Sequence, residues 1–343
     1  MRRFLTGFFT VIMITAGVSA CTPAAQEDQA AAPNNPNPDN PTPPPQKPEN
    51  NMPKEVLARW EKELSNWGRW GKDDEIGTLN LITPGKRKQA AALVMEGFSV
   101  SLGSDWNTTR EIDNPRPVVV DRPSLGSDTL NVSYHGWAVT HLDALAHQYN
   151  DAGQGYNGYT PAEDVVLKQG HGKNSINTVK HGIFTRGILM DIPRLKGVLY
   201  LELGTPIYSE DLEAWEKMTG LKVQPGDALI IRMGRWAARK TIGPFRPGSA
   251  WVAAGLHPSV LPWLKQRDVA VLVGEAGQSL GPSDGEIHDV AIHTLGIHVI
   301  DAANLEALAE AAAKRNRWEF LFTVAPLPIP GSTGSPVNPI ATF

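Results

Sequence analysis

The stretch 131-NVSYHGWAVTHLDALAH-147 gathers three of the chain's nine histidines around one aspartate. Its aromatic and β-branched residues predict an extended segment, in which alternate side chains share a face. His135, Trp137, His141 and Asp143 then point the same way. Imidazole and carboxylate are suitable donors for zinc or another first-row divalent cation, and His-x-Asp spacing lets two of them reach one ion from a single strand. His147 falls past the expected strand end, where an imidazole can move protons near neutral pH without being a ligand. The plainer reading makes these histidines satisfied core or surface residues and Asp143 the N-cap of a helix opening at ALAH. A metal shell needs further donors from elsewhere in the chain.

The second half offers them in 287-IHDVAIHTLGIHVIDAANLEALA-309. His288 precedes a short apolar segment and Asp301 ends GIHVID, so both can return to the site, whereas His293 and His298 read as ordinary residues. Asp301 also has a plain explanation, because an acidic residue just before a helix is favoured by the helix dipole.

Around these stretches the pattern alternates. KEVLARWEKEL (54–64) is an amphipathic helix, Thr83 and Pro84 open another that GKRKQAAALVMEG carries to Gly97, a third runs from Ser209 to Gly220, and Asn304 caps NLEALAEAAAKRNRW. RGILMDI (186–192), DALIIRM (227–233), DVAVLVG (268–274) and GIHVID (296–301) read as strands. Their apolar runs are nearly continuous, which predicts strands covered on both faces. The class is α/β or α+β in one domain, with no internal repeat and no glycine-rich phosphate loop.

With 343 residues, 41% of them hydrophobic, the chain can bury a full core. A net charge of -4 without a Lys/Arg-rich run leaves no basic face for nucleic acid. Residues 1–21 read as an export signal: Arg2 and Arg3 precede a short apolar run that closes on Val18-Ser19-Ala20-Cys21. The segment 22–53, rich in Pro and Asn, is expected to be an extended tether, with the folded domain at 54–343. A single cysteine excludes an internal disulfide.

VSAC resembles the lipobox of bacterial lipoproteins, which implies lipidation at Cys21 and a domain held at the cell envelope, touching the membrane through that anchor alone. THLDALAH (140–147) resembles the H-x-G-T-H-x-D-x-P-x-H signature of the metal-dependent cyclase and kynurenine formamidase family. WGRWGKDDEIGTLNLIT (67–83), YNGY (156–159), RGILMDI, GDALIIRMGRW (226–236), HDVAIHTLGIHVID (288–301) and GSPVNPIA (334–341) continue the resemblance in order. It implies a single α/β domain, a mixed sheet with a β-barrel-like core and flanking helices, sometimes called a swivelling β/β/α domain, assembled as a homo-oligomer.

The resemblance further implies hydrolysis of amide or lactam bonds in small aromatic compounds with one or two Zn2+ or Mn2+ ions. His141 and Asp143 match ligand positions, as do His288 and Asp301, although the family usually has glutamate at the last. His147 matches the general acid/base. Trp137 stands where the first motif histidine falls, so His135 is the candidate substitute, and Leu145 replaces the motif proline. Trp67, Trp70 and Trp137 are candidates for an aromatic substrate wall, against the commoner role of tryptophan in a core. An aryl formamide of the N-formylkynurenine kind is the expected substrate. Alternatives are a cyclic lactam or lactone, or a non-catalytic metal- or solute-binding lipoprotein.

Overall fold

The apolar runs near the middle of the chain form the middle of a sheet. In a computed structural model that describes residues 52–164, 172–245, 253–275 and 285–343, nine strands join in one sheet. They are β1 (Ser99–Ser101), β2 (His141–Asp143), β3 (Ile183–Asp191), β4 (Ala228–Arg232), β5 (Val271–Val273), β6 (His298–Asp301), β7 (Glu319–Val324), β8 (Gly334–Pro336) and β9 (Ile340–Thr342). Across the sheet their order is β1-β9-β7-β3-β4-β5-β6-β2-β8. Neighbours from β3 to β6 are parallel and the remaining pairs antiparallel. The sheet curls into a half-barrel that stays open, since its end strands β1 and β8 do not pair with each other.

Every residue of β4, β5 and β6 is buried, as continuous apolar runs require of strands covered on both faces. Helices cover them. α1 (Lys54–Glu63) and α2 (Pro84–Ala91) open the domain, and Thr83 caps α2 by accepting from the Lys86 amide with Pro84 in its first turn. α2 ends at Ala91, short of the expected Gly97, and packs on β3 and β7. α3 (Ser209–Thr219) stops at Gly220 in the left-handed region, and α4 (Arg235–Ile242) follows β4. α5 (Glu306–Arg315) begins beyond Asn304, whose side-chain oxygen accepts from the Glu306 amide.

Two buried carboxylates of this core are held by nearby donors. Asp227, fully buried, accepts from Arg186 through Nε at 2.9 Å and Nη2 at 2.5 Å, pairs with Lys86, and accepts the Gln224 amide. That network ties α2 to the start of β4. Glu275, just past β5, is also fully buried and accepts the amides of Met233 at 2.6 Å and Gly234 at 2.7 Å.

Burial, with help from Glu306, pushes the Glu275 carboxyl up to about 7 against the opposing pull of Arg232 and those amides. A carboxyl raised on folding binds its proton more tightly in the native state than in the unfolded one. Its contribution to stability is therefore complete below the unfolded value of 4.5 and is lost as pH rises through about 7. The interval is worth about 3 kcal/mol. Glu275→Gln keeps an acceptor for the two amides, so its unfolding free energy should gain on the parent's by that amount between pH 4 and pH 8. Parallel stability curves would show that the Glu275 carboxyl titrates alike in the folded and unfolded chain.

The expected strand does not run through 132–140. β2 begins only at His141, and the preceding residues turn through Gly136, whose φ of +144° an L side chain rarely adopts. A separate exposed hairpin, Val119–Ser124 against Ser127–Asn131, leads into this turn. Cys21, the expected export signal and nearly all of the expected tether lie outside the described residues. Among the described residues no helix is long and apolar enough to cross a membrane.

Candidate metal centre

Strand register builds the centre. β2 runs antiparallel between β6 and β8, with His141 opposite Asp301 and Asp143 opposite Val299. Directly opposed residues of a sheet share a face, and so do alternate residues of one strand. His141, Asp143 and Asp301 therefore converge. Thr140, on the other face, donates to the Ala302 carbonyl at 2.8 Å and accepts the Ser104 amide, which locks the strand end.

His288 comes in from a short helix, Gly285–Asp289, continued by a π turn over Val290–Thr294. Such turns often mark functional positions. Its Nε2 lies 3.1 Å from Asp143 Oδ2 and 3.2 Å from Asp301 Oδ2. His147 Nε2 is 3.8 Å from Asp143 Oδ1, and His135 Nδ1 is 2.9 Å from the same oxygen. The rings of His135 and His147 stack at 4.1 Å. All six donor-bearing residues marked in the sequence thus meet around one carboxylate. His135 arrives by the turn at Gly136 rather than by the strand periodicity that first suggested it.

Burial grades across the cluster. Asp143 is fully buried and His141, His288 and Asp301 nearly so, while the side chains of His135 and His147 keep 31% and 21% of their surface. The cluster therefore meets solvent on the His135/His147 side.

The electrostatics are those of a place for a cation. Burial acts to raise Asp143, yet His147 and His141, with His135 and His288, hold its carboxyl well below the ordinary range. Burial acts to lower His288, but Asp143, Asp289 and Asp301 together raise it well above the usual imidazole value. Two buried carboxylates thus call for positive charge between them. His147 is different: burial pushes it down to about 4 despite Asp143, so it is neutral at physiological pH.

The donors fit a divalent ion. Among the described residues, His141, Asp143 and Asp301 form one set of donors with ligating atoms within 4.8 Å of one another, and His135, Asp143 and His147 form another. Asp143 belongs to both and could bridge two ions. His141 lies with Nδ1 2.8 Å from the Val139 carbonyl, which fixes its proton there and leaves Nε2 free toward the cluster. His135 Nδ1 and Asp143 Oδ1 are buried and close, but misaligned for a hydrogen bond, so both lack a hydrogen-bond partner. Two unpartnered polar atoms side by side in a buried site fit a cation as their shared partner.

The tryptophans divide. Trp67 donates Nε1 to the His293 carbonyl at 2.6 Å and packs against the core, and Trp70 lies under the Arg69 guanidinium at 4.7 Å. Neither joins the cluster by a hydrogen bond or ring contact among the described residues. Both are half-buried, in the loop that follows α1. Trp137 is half-buried in the same turn as His135, and its carbonyl accepts from Arg235 at 2.7 Å. Sequence reading missed Gln148, whose amide lies 3.2 Å from His288 Nδ1, and Thr333, whose hydroxyl lies 3.0 Å from His135 Nε2. Neither carries a local signal.

The sequence profile of the family described as "Putative cyclase" matches residues 59–278. A crystal structure of a novel cyclase resembles this one with TM-score 0.73 and 28% identity, over 82% of this chain and 99% of the other. Isatin hydrolase A from Ralstonia solanacearum shares the fold with TM-score 0.50 and 19% identity, over 71% of this chain and 91% of its own. No curated protein matches the sequence.

Proposed function

This chain belongs to the cyclase family, and on that premise we propose that it is a metal-dependent hydrolase of a small aryl formamide. The observation that carries the reading is the convergence of five donor side chains on the buried carboxylate of Asp143. His141, Asp143, His288 and Asp301 would hold Zn2+ or Mn2+, with His135 as a further ligand. When bound, the ion supplies Lewis acidity that polarises a carbonyl and makes water a nucleophile near neutral pH.

The protein side chains do the rest. Asp143 and Asp301 supply fixed negative charge, and the Val139 carbonyl keeps the His141 Nε2 lone pair turned inward. His147, neutral and on the open side, is placed to take a proton at Nε2 and return it to the leaving nitrogen of an amide. An aryl formamide would yield formate and an aniline-type amine. Trp137 is the one sequence-marked tryptophan in the entrance turn, and it remains our candidate for the substrate wall.

A cyclic lactam such as isatin is the second reading, supported by the fold shared with isatin hydrolase A. A panel of aryl formamides, lactams and lactones, assayed with the purified chain, separates the two. Fastest turnover of an aryl formamide is the expected result, faster lactam opening favours the second reading, and no turnover of any member leaves a metal- or solute-binding protein.

We also propose that the domain works at the cell envelope, anchored at Cys21 on its tether, as an assembly of identical chains. The exposed hairpin supports assembly, since Val119, Val120, Leu125 and Leu130 are each more than half exposed on a two-stranded ribbon that is marginal alone. Release of a Cys21→Ser chain from the membrane fraction checks the anchor.

A further inference from the structure

His135 is held from behind. Its Nε2 lies 3.0 Å from the Thr333 hydroxyl, and its ring is flanked by Tyr134 at 4.6 Å and stacked on His147 at 4.1 Å. Tyr134 is fixed in turn, through its hydroxyl, by Ser332 at 2.7 Å and the Gly334 carbonyl at 2.9 Å. The whole arrangement rests on the loop that leads into β8, about two hundred residues along the chain from His135.

Gly334 makes room for it. A Cβ there would meet His135 Cε1 at 2.9 Å, closer than real Cβ contacts run, and Nε2 at a tight 3.3 Å. With any larger residue the ring would have to move. Gly334 is also paired with Asp143 across the strands, so the same residue sets the distance between the ring and the carboxylate.

The two ring nitrogens then have different tasks. Nε2 is taken by Thr333. Nδ1 faces Asp143 Oδ1 at 2.9 Å without hydrogen-bond alignment, and His147 closes the third side. A neutral imidazole carries one proton, and with that proton on Nε2, donated to the Thr333 oxygen, the lone pair of Nδ1 is left pointing inward.

We propose that Thr333 and Gly334 are positioning residues for His135, fixing its tautomer and its ring so that Nδ1 serves a divalent cation shared with Asp143. The inference rests on the metal-centre reading above and names what makes one of its ligands competent. Outer partners of this kind typically govern metal affinity by roughly ten- to a hundredfold when removed.

The test is equilibrium titration of the metal-stripped full chain with Zn2+ against a chromophoric competitor. Thr333→Val, nearly isosteric but without the hydroxyl, should weaken one class of bound ion by roughly ten- to a hundredfold. Thr333→Ser should bind like the parent. In a His135→Ala background, where that class is already weak, Thr333→Val should change nothing further. A purely structural role predicts otherwise, so the melting temperatures of the stripped Thr333 variants should equal the parent's. Gly334→Ala also sets its methyl 2.8 Å from the Leu142 carbonyl, which tests the fold as much as the ring, so the Thr333 pair decides.

Parent-like affinity in Thr333→Val, loss in Thr333→Ser, or an undiminished effect without His135 would each overturn the proposal. The wider reading fails differently: if Asp143→Ala retains every ion, there is no centre at all. If Asp143→Ala loses metal and Thr333→Val does not, only the positioning role falls.

Discussion

Asp143→Ala should lose bound divalent metal and turnover together. Asp143 is the one residue common to both donor sets, and His135, His141, His147 and His288 all approach its two oxygens within 4 Å. Removing it takes a ligand from each possible ion and leaves the imidazoles with only Asp301 as a nearby carboxylate in those sets. The catalytic term supplied by such a centre is several kcal/mol. Turnover on the best substrate of the panel should therefore fall by at least about a thousandfold. Metal analysis and rate should be taken on the same preparation. Stoichiometric metal in the Asp143→Ala chain would contradict the assignment.

His147→Ala should separate what Asp143→Ala joins. At 3.8 Å from Asp143 Oδ1, against 2.9 Å for His135, His147 is the more distant imidazole of its set, and its lowered value of about 4 makes it a neutral proton acceptor at pH 7. Loss of a general acid/base costs typically a hundredfold to about ten-thousandfold in rate. The variant should keep the metal content of the parent and lose turnover on that scale. Loss of one ion per chain along with activity would make His147 a ligand, and a parent-like rate would remove it from the chemistry.

How much of this was legible depended on what each residue had nearby in sequence. His141 and Asp143 could be read because strand alternation puts residues two apart on one face, and β2 obeys it. Asp301 could be read because a strand ending in an acid brings that acid to the sheet's end, where it opposes His141. The buried middle strands announced themselves by continuous apolar runs. His135 was named for a strand that Gly136 breaks, and it reaches the cluster by a turn whose geometry no periodicity encodes.

The rest was hidden for the same physical reason. β1, β8 and β9 are three residues each, too short for a pattern, and they form only because partners far along the chain pair with them. EFLFTV was not marked as a strand, although as β7 it pairs along six residues with β3. The π turn after His288 leaves no start or stop signal. Trp67, a candidate for the substrate wall, is held through its indole N–H by the His293 carbonyl, a contact between residues 226 apart that no local pattern encodes.

The most direct test of the account is hydrolysis of the best panel substrate by one preparation before chelation, after chelation, and after reloading with Zn2+ or Mn2+. The account predicts that the chelated chain, still folded, turns over at a small fraction of the starting rate and that one or two ions per chain restore it. A chelated chain that hydrolyses the substrate at the starting rate would contradict it.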